Sequence, residues 1–223
     1  MSVSENLAYI NEKIEQACEK ANRKIDEITV IGVTKYVTIE RTEELIAAGI
    51  TNLGENRTEE FLHKYGEIGD RANWHFVGTL QSRKVKDVVG KVSAIHSLDR
   101  LSVAKQINNR SDDPVDCFVQ VNVSGEESKH GLNPKEVMSF IKELEQYNRV
   151  KVVGLMTMAP HVDNKAEIRT VFRKLRNLRD DVMNQNFSHA PCKFLSMGMS
   201  NDYEIAIEEG ATHIRIGSKL VGS

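Results

Sequence analysis

Short apolar segments and longer amphipathic segments alternate along this chain, and this alternation constrains the fold more than any other feature. Strand-like runs are predicted near 28–34, 51–54, 74–78, 93–97, 115–123, 150–157, 193–197 and 212–216. Helical segments are predicted near 4–23, 40–49, 56–65, 82–90, 99–109, 134–147, 164–185 and 201–209. Strands that alternate with helices favour a parallel sheet covered by helices.

Eight such strands predict an α/β fold, a single (β/α)8 TIM barrel with an extra N-terminal helix. With 223 residues the chain would form a compact version of a barrel that typically has about 250 residues. An open doubly wound sheet is the alternative, but the chain contains neither GxGxxG nor GxxxxGK followed by Ser or Thr. Because we find no linker or shift in composition, we expect residues 1–223 to form one domain.

Composition excludes several classes of protein. The net charge is −2 and the pI is about 6.4, which argues against partners such as nucleic acid or an acidic membrane. The three cysteines are scattered, and the histidines show neither HExxH nor zinc-ligand spacing, so we expect no disulfide framework and no metal site. We find no signal peptide and no apolar run long enough to span a bilayer, and we predict a cytoplasmic protein.

Lys35 directly follows the first predicted strand. A lysine just beyond a buried strand lies at a rim of the packed interior, where small molecules bind. An amine that is partly desolvated there shifts towards its neutral, nucleophilic form and can make a Schiff base with an aldehyde. A solvated lysine that anchors the strand end is the alternative interpretation.

Two segments near the other end of the chain have the character of phosphate-binding loops. They are Phe194 to Asp202 and His213 to Ser218, each an apolar run that ends in small polar residues. Gly198 and Gly217 would let the backbone approach a ligand closely. Ser200 and Ser218 offer hydroxyls near helix starts, where unpaired N–H groups attract anions. Ordinary turn chemistry, with Ser200 as a helix N-cap, is the alternative.

The predicted barrel brings these features together. The carboxyl ends of the strands form the active site of a TIM barrel, and the loops after strands seven and eight frequently bind phosphate. Strand one is adjacent to strand eight in a closed barrel, so Lys35 would share one mouth with the Ser200 and Gly217 loops. An amine beside a phosphate site suggests a ligand with both an aldehyde and a phosphate, and pyridoxal 5′-phosphate fits.

Several motifs extend this pattern over nearly the whole chain. They are Val33-Thr34-Lys35, Gly54-Glu55-Asn56, His75-Phe76-Val77-Gly78 with Leu80-Gln81, Gln120-Val121-Asn122, Gly154-Leu155-Met156-Thr157, Leu195-Ser196-Met197-Gly198-Met199-Ser200 with Asp202, and Ile214-Arg215-Ile216-Gly217. With them the chain closely resembles the pyridoxal phosphate homeostasis proteins (the YggS/PROSC family), which have the barrel fold of the alanine racemase N-terminal domain. The chain departs from the usual family pattern at Arg83, where an asparagine is expected.

The resemblance implies that pyridoxal 5′-phosphate is the cofactor and that Lys35 holds it as a Schiff base. It also implies that Ser200, Gly217 and Ser218 bind the phosphate, largely through backbone N–H groups. Asn56 would hydrogen-bond near the ring oxygen of the cofactor, with a helix cap as the alternative role for this residue.

Arg215 would, by the same resemblance, face the pyridine nitrogen. Its permanent charge would disfavour protonation of that nitrogen, and a neutral pyridine is a weaker electron sink. A surface ion pair with Glu204 or Glu208 is the alternative for Arg215. Met199 and His75 are expected to pack around the site, and for His75 we favour a structural role in the core.

Two classes of function remain from this reasoning. The first is a monomeric carrier that buffers pyridoxal phosphate and passes it to apoenzymes that depend on it, without catalysis of its own. The second is a pyridoxal-phosphate-dependent racemase-type enzyme. Racemisation needs a second base, which a C-terminal domain supplies in alanine racemase, and we expect no such domain after residue 223. A Schiff-base aldolase without cofactor is a further alternative.

Overall fold

A computed structural model describes residues 2–126 and 129–222, and it contains a closed barrel of parallel strands. Each strand pairs with the next along the chain, and the last pairs with the first. The strands are β1 (Thr29–Val33), β2 (Asn52–Glu55), β3 (Asn73–Phe76), β4 (Ala94–Leu98), β5 (Val115–Gln120), β6 (Val150–Met156), β7 (Phe194–Met199) and β8 (His213–Ile216). The predicted (β/α)8 barrel with an extra N-terminal helix is confirmed.

Helices precede the barrel, connect its strands and follow the last strand. They are α1 (Val3–Lys20), α2 (Ile39–Ala47), α3 (Thr58–Ile68), α4 (Val85–Val88), α5 (Leu101–Arg110), α6 (Val137–Glu143), α7 (Lys165–Met183), α8 (Tyr203–Glu208) and α9 (Ser218–Val221). The short α9 was not predicted, and the predicted helix 134–147 is α6 with a 3-10 turn at each end. None of the helices in the described ranges has the length and apolar character that a membrane crossing requires.

Helix α1 forms outside the strand–helix alternation because its ends and its buried stripe both favour a helix. Ser2 and Glu5 form a capping box in which each side chain binds the backbone N–H of the other. Leu7, Ile10 and Ile14 recur at helical spacing and are buried. This stripe packs α1 against α2, α8 and α9, and the last two of these helices flank β8, the strand that closes the barrel.

The apolar core has two parts. The larger part lies between the strands and the surrounding helices and contains most of the buried aliphatic side chains. A smaller cluster of Ala94, Phe118, Val153 and Met156 is separate from it. The three cysteines are buried and free, in agreement with the prediction that they form no disulfide framework.

Candidate functional site

A cavity of about 710 Å³ opens at the carboxyl ends of the strands, where the barrel fold predicts the site. Six residues predicted from the sequence to bind the cofactor line it, namely Lys35, Asn56, Ser200, Arg215, Gly217 and Ser218. They come from the ends of β1, β2, β7 and β8, which barrel closure places around one opening. The structure therefore brings together Lys35 and Ser218, which lie 183 positions apart along the chain.

Lys35 lies two residues beyond β1, in a turn at the rim of the cavity. Its side chain is exposed, so the partial desolvation that we predicted for this amine is not found. The reason is the turn itself, since Tyr36 has a left-handed backbone (φ 65°) and stands 69% exposed instead of covering the lysine. The amine of Lys35 lies 5.7 Å from the centre of the Tyr36 ring.

A buried ion pair fixes the backbone that leads into this turn. Lys64 of α3 and Glu55 of β2 are 2.6 Å apart, and both are almost completely buried. The Thr34 hydroxyl donates to the same Glu55 oxygen at 2.5 Å, and the Lys64 amine also donates to the Thr34 carbonyl oxygen. Because removal of one partner leaves an uncompensated buried charge, a pair of this kind holds its elements firmly together.

Ser200 joins the two loops that we predicted to bind phosphate. Its hydroxyl oxygen accepts a hydrogen bond from the backbone N–H of Gly217 at 3.3 Å. Ser200 is not an N-cap, because that position of α8 belongs to Asp202. The hydroxyl proton of Ser200 stays available for a ligand, since a serine can accept and donate at once. Ser218 begins α9, and the first N–H groups of a helix have no acceptor within that helix.

The two glycines of these loops have different roles. Gly217 lines the cavity, and a Cβ there would meet nothing closer than Val33 at 3.6 Å. Gly198 does not line the cavity and instead has a left-handed backbone (φ 95°) against α8, where a Cβ would lie 2.6 Å from that of Ala206. The expectation that Gly198 lets the backbone approach a ligand is therefore wrong, and its freedom serves helix packing.

Helix α9 is held in place from two sides, which fixes the position of Ser218. The side-chain amide of Asn6 in α1 donates to the Leu220 carbonyl oxygen at 3.1 Å in a buried hydrogen bond. The guanidinium of Arg41 in α2 donates to the Val221 carbonyl oxygen at 2.9 and 2.7 Å. A cation at the carboxyl end of a helix is favourable, and these contacts stabilise the last turn of the chain.

Arg215 is the buried cation of the cavity wall. Its guanidinium donates to the Ser196 hydroxyl at 2.5 Å and to the Thr157 carbonyl oxygen at 3.0 Å. Burial lowers the pKa of Arg215 to about 10, so it stays charged at neutral pH. Within the described residues, no carboxylate lies close enough to form an ion pair with it, and the ion pairs considered for its alternative role are not present. The described residues thus hold the charge with a hydroxyl and a carbonyl oxygen and without a salt bridge.

Asn56 follows β2 and has an unsatisfied amide. Its side-chain oxygen is buried without a hydrogen-bond partner among the described residues. It does not cap α3, whose N-cap is Arg57, so the alternative role is excluded. Gly78, two residues beyond β3, lets the chain pass close to Asn56, because a Cβ there would lie 2.1 Å from the Asn56 carbonyl oxygen. A buried polar atom without a protein partner is typical of a ligand site.

The remaining expectations have mixed outcomes. Met199 lines the cavity, as predicted. His75 is 6% exposed and does not line the cavity, so the structural role that we favoured for it is confirmed. Arg83 is exposed and donates to the Gln81 side chain at 3.0 Å, away from the residues that line the cavity.

Sequence reasoning assigned no role to several residues that shape the site. Asp202 is buried, lines the cavity and accepts a hydrogen bond from the Met199 N–H at 2.6 Å. Burial raises the pKa of Asp202, an effect that the hydrogen bond from the Met199 N–H and then the nearby charge of Arg215 partly offset. Ser196 and His96 were also assigned no role, although a polar residue within an otherwise apolar strand was a visible signal in β4 and β7.

The arrangement suits a small anionic aldehyde. An accessible amine, a buried cation and two loops with free hydrogen-bond donors face one cavity that is large enough for a cofactor-sized ligand. The amine can bond reversibly to a carbonyl carbon, and the loops can bind an anion.

Comparisons with known proteins show similarity over nearly the whole chain. Residues 6–223 match the family described as "Alanine racemase, N-terminal domain". A pyridoxal phosphate homeostasis protein of Aquifex aeolicus is 42% identical over 226 residues, which cover 100% of this chain and 98% of that protein. The structure of PipY from Synechococcus elongatus with pyridoxal phosphate bound superposes with a TM-score of 0.85 at 28% identity and covers 99% of this chain and 100% of that one. An alanine racemase of Clostridium difficile shares the fold alone, with a TM-score of 0.74, 15% identity, and coverage of 94% of this chain and 59% of that one.

Proposed function

The chain belongs to the alanine racemase N-terminal domain family and, within it, to the pyridoxal phosphate homeostasis proteins, and on that premise we propose that it binds pyridoxal 5′-phosphate and takes part in the intracellular homeostasis of this cofactor. The observation that carries the proposal is the position of Lys35 on the same cavity as Arg215 and the Ser200–Gly217 loops. Residues 1–223 would act in this role as one cofactor-binding domain.

The residues present fit the cofactor. Ser200, Gly217 and Ser218 would hold the phosphate at the place where TIM barrels frequently bind it, with the Ser200 hydroxyl, which the Gly217 N–H positions, and the backbone N–H of Ser218. The buried amide of Asn56, which has an oxygen without a protein partner, would bind near the ring oxygen. Arg215 would face the ring nitrogen with the N–H groups that Ser196 and Thr157 leave free.

Lys35 would hold the cofactor covalently through the aldehyde that pyridoxal phosphate supplies when bound. The exposure of this amine supports a role in storage and delivery, because an accessible attachment point can be reached by water or by an acceptor protein. An amine sealed in the core would retain its ligand instead. Apoenzymes that depend on pyridoxal phosphate are the proposed recipients, and a cytoplasmic monomer is the proposed form.

We propose that the protein is a carrier and does not turn over amino acids efficiently. The permanent charge of Arg215 disfavours a proton on the ring nitrogen and so weakens the electron sink on which carbanion chemistry depends. None of the five tyrosines, all of which lie in the described ranges, lines the cavity. A tyrosine base like that of alanine racemase is therefore not available from the walls of this cavity.

Borohydride reduction of the protein with bound pyridoxal phosphate tests the attachment. Reduction should fix the label on the peptide that contains Lys35, and Lys35→Ala should abolish the absorption band of the attached cofactor. The matched control is Lys86→Ala, which removes an exposed lysine of α4 and should label like the parent protein. Recovery of the label mainly on another lysine would overturn the assignment of Lys35, whereas weak noncovalent binding by Lys35→Ala would not, because the phosphate contacts survive.

A further inference from the structure

A chain of hydrogen bonds crosses the barrel interior from Arg215 to the side chain of Asn52. Arg215 donates to the Ser196 hydroxyl at 2.5 Å, and this oxygen lies 2.8 Å from Nδ1 of His96. Nε2 of His96 lies 3.0 Å from Nδ1 of His75, and Nε2 of His75 lies 3.2 Å from the Asn52 side-chain oxygen. These side chains come from β8, β7, β4, β3 and β2, so the chain links five of the eight strands.

The acceptor at the far end fixes the direction of every hydrogen bond. The Asn52 side-chain oxygen can only accept, so His75 donates to it from Nε2, and Nδ1 of this neutral ring is an acceptor. Nε2 of His96 therefore donates to Nδ1 of His75, and Nδ1 of His96 is an acceptor in turn. The Ser196 hydroxyl donates to Nδ1 of His96, while its oxygen accepts from the Arg215 guanidinium. Both imidazoles are neutral and share one tautomer.

Burial makes this arrangement rigid. Ser196 and His96 are 0% exposed, and His96 stacks on Phe118 with ring centres 4.2 Å apart at an angle of 16°. Burial lowers the pKa of His75 to about 3 and that of His96 well below its usual range, so both rings stay neutral at pH 7. Because both rings are buried, water does not readily take the place of a lost hydrogen-bond partner, and a buried polar atom without a partner is costly.

In each hydrogen bond of this chain the donor is the group nearer to Arg215, so the lone pair of each acceptor points back towards the guanidinium. Hydrogen bonds aligned in this way polarise one another and stabilise a buried cation through neutral groups. A carboxylate in the place of Ser196 would stabilise the cation as well, but it would also cancel the charge that Arg215 presents to the cavity.

We propose, on the basis of the function proposed above, that His96 and Ser196 are positioning residues for Arg215. Neutral His96 orients the Ser196 hydroxyl, and this hydroxyl together with the Thr157 carbonyl oxygen fixes the guanidinium plane. The free N–H groups of Arg215 are thereby aimed at the ring nitrogen of the cofactor, with a neutral hydroxyl instead of a carboxylate as the partner at Ser196. The chain is not a proton relay, because a guanidinium and a side-chain amide, neither of which exchanges its protonation state at neutral pH, occupy its two ends.

The first test uses the full chain without cofactor, so its result does not depend on the proposed function. In a protein with ¹⁵N-labelled histidine at pH 7, the imidazole shifts should place the protons of His96 and His75 on Nε2. A coupling between Nε2 of His96 and Nδ1 of His75 should be detectable across their hydrogen bond. A proton on Nδ1 of His96, or on both of its nitrogens, would overturn the proposal.

The second test measures the consequence for the ligand. In Ser196→Ala loaded with pyridoxal phosphate that carries ¹⁵N in the ring, the pH at which the ring nitrogen takes up a proton should rise by on the order of one unit, because a charge-assisted hydrogen bond that held Arg215 is lost. Ser196→Thr keeps the hydroxyl and should restore the profile of the parent. The matched control is Ser97→Ala, which removes a buried hydroxyl without a partner in the described structure.

A titration of Ser196→Ala that coincides with that of the parent protein at equal occupancy would refute the positioning role. If Ser196→Ala does not fold, His96→Phe breaks the chain at the next residue while it keeps a ring against Phe118, and the same rise is expected. Failure of the parent protein to bind pyridoxal phosphate would contradict the proposed function alone, and the tautomer measurement would still decide the proposal.

Discussion

The barrel interior has two ends, a mouth at the carboxyl ends of the strands and a base towards their amino ends. The same strands build both, and the two ends differ in what fills them. The mouth is a cavity of about 710 Å³ with polar side chains on its walls. Towards the other end of the strands, rings occupy the interior, and His213 makes edge contacts with Phe118 and Phe194 at centroid distances of 5.1 and 5.3 Å. An added methyl group at the base should therefore lower the free energy of unfolding, whereas one added at the mouth should leave it nearly unchanged.

Arg215 belongs to both regions, and for this reason the wall of the cavity can hold a buried charge. The guanidinium lines the mouth, while its partner Ser196 connects it to the histidines of the base. A rigid base keeps the charge in place, and an open mouth leaves it available to a ligand. Acid and added volume should consequently lower the free energy of unfolding through the base. The loss of a hydroxyl at the mouth should instead lower the affinity for the ligand.

The largest expected effect is acid unfolding that originates in the base. Burial lowers the pKa of His75 to about 3 and that of His213 to about 4 in the folded protein, against about 6.5 when unfolded. As the pH falls from about 6.5 to about 4, the unfolded chain binds protons that the folded protein refuses. Each such imidazole should lower the free energy of unfolding by about 1.4 kcal/mol per pH unit in this window.

Denaturant unfolding of His213→Gln between pH 6.5 and 4 isolates this contribution. The slope of stability against pH should be shallower than in the parent by about one proton. The exposed His63→Gln is the matched control and should keep the parent slope. An unchanged slope in His213→Gln would mean that His213 takes up a proton in the folded protein as readily as in the unfolded chain, and would contradict the prediction.

The next effect comes from adding one methyl group at each end. A Cβ on Gly154 would lie 2.2 Å from the Phe194 carbonyl oxygen and 2.9 Å from the Phe118 ring, so Gly154→Ala should destabilise the protein by on the order of 3 kcal/mol. Gly217→Ala at the mouth meets only Val33 at 3.6 Å and should leave the free energy of unfolding nearly unchanged. Equal losses of stability by thermal unfolding of the two variants would remove the distinction between the regions.

A smaller effect is expected for the phosphate loops, and it concerns affinity and not stability. Ser200→Ala should weaken pyridoxal phosphate binding by about 1–2 kcal/mol, because one charge-assisted hydrogen bond is lost while the backbone donors remain. Gly217→Val should weaken it more, because a branched side chain would crowd the phosphate. Titration of cofactor into each apoprotein measures both, and parent-like affinity of Gly217→Val would remove Gly217 from the site.

The smallest expected effect is catalysis. In heavy water, individual amino acids incubated with the loaded protein should exchange their Cα hydrogen far more slowly than the roughly 10 s⁻¹ of a typical enzyme. The reason is the weak electron sink beside Arg215 together with the lack of a tyrosine among the described residues of the cavity wall. Mass spectrometry of the amino acids reports the exchange, and rates near enzyme turnover would favour the racemase-type alternative over the carrier.

The sequence by itself determined the elements and the chemistry at the rim. Periodicity predicted all eight strands because residues buried on both faces make a strand nearly continuous in apolar character. Lys35, Ser200 and Gly217 were predictable as lining residues because a closed barrel brings the carboxyl ends of its first and last strands together. These inferences need only local pattern and one topological rule.

Only the tertiary structure decided which neighbours each residue has. The hydrogen bond between His96 and Ser196 joins residues 100 positions apart, and no local pattern specifies it. The exposure of Lys35, the acceptor role of Ser200 and the packing role of Gly198 likewise depend on turns and on helix placement. The physical reason is that the hydrophobic pattern records which side chains are buried, whereas register and barrel closure decide which of the buried groups meet.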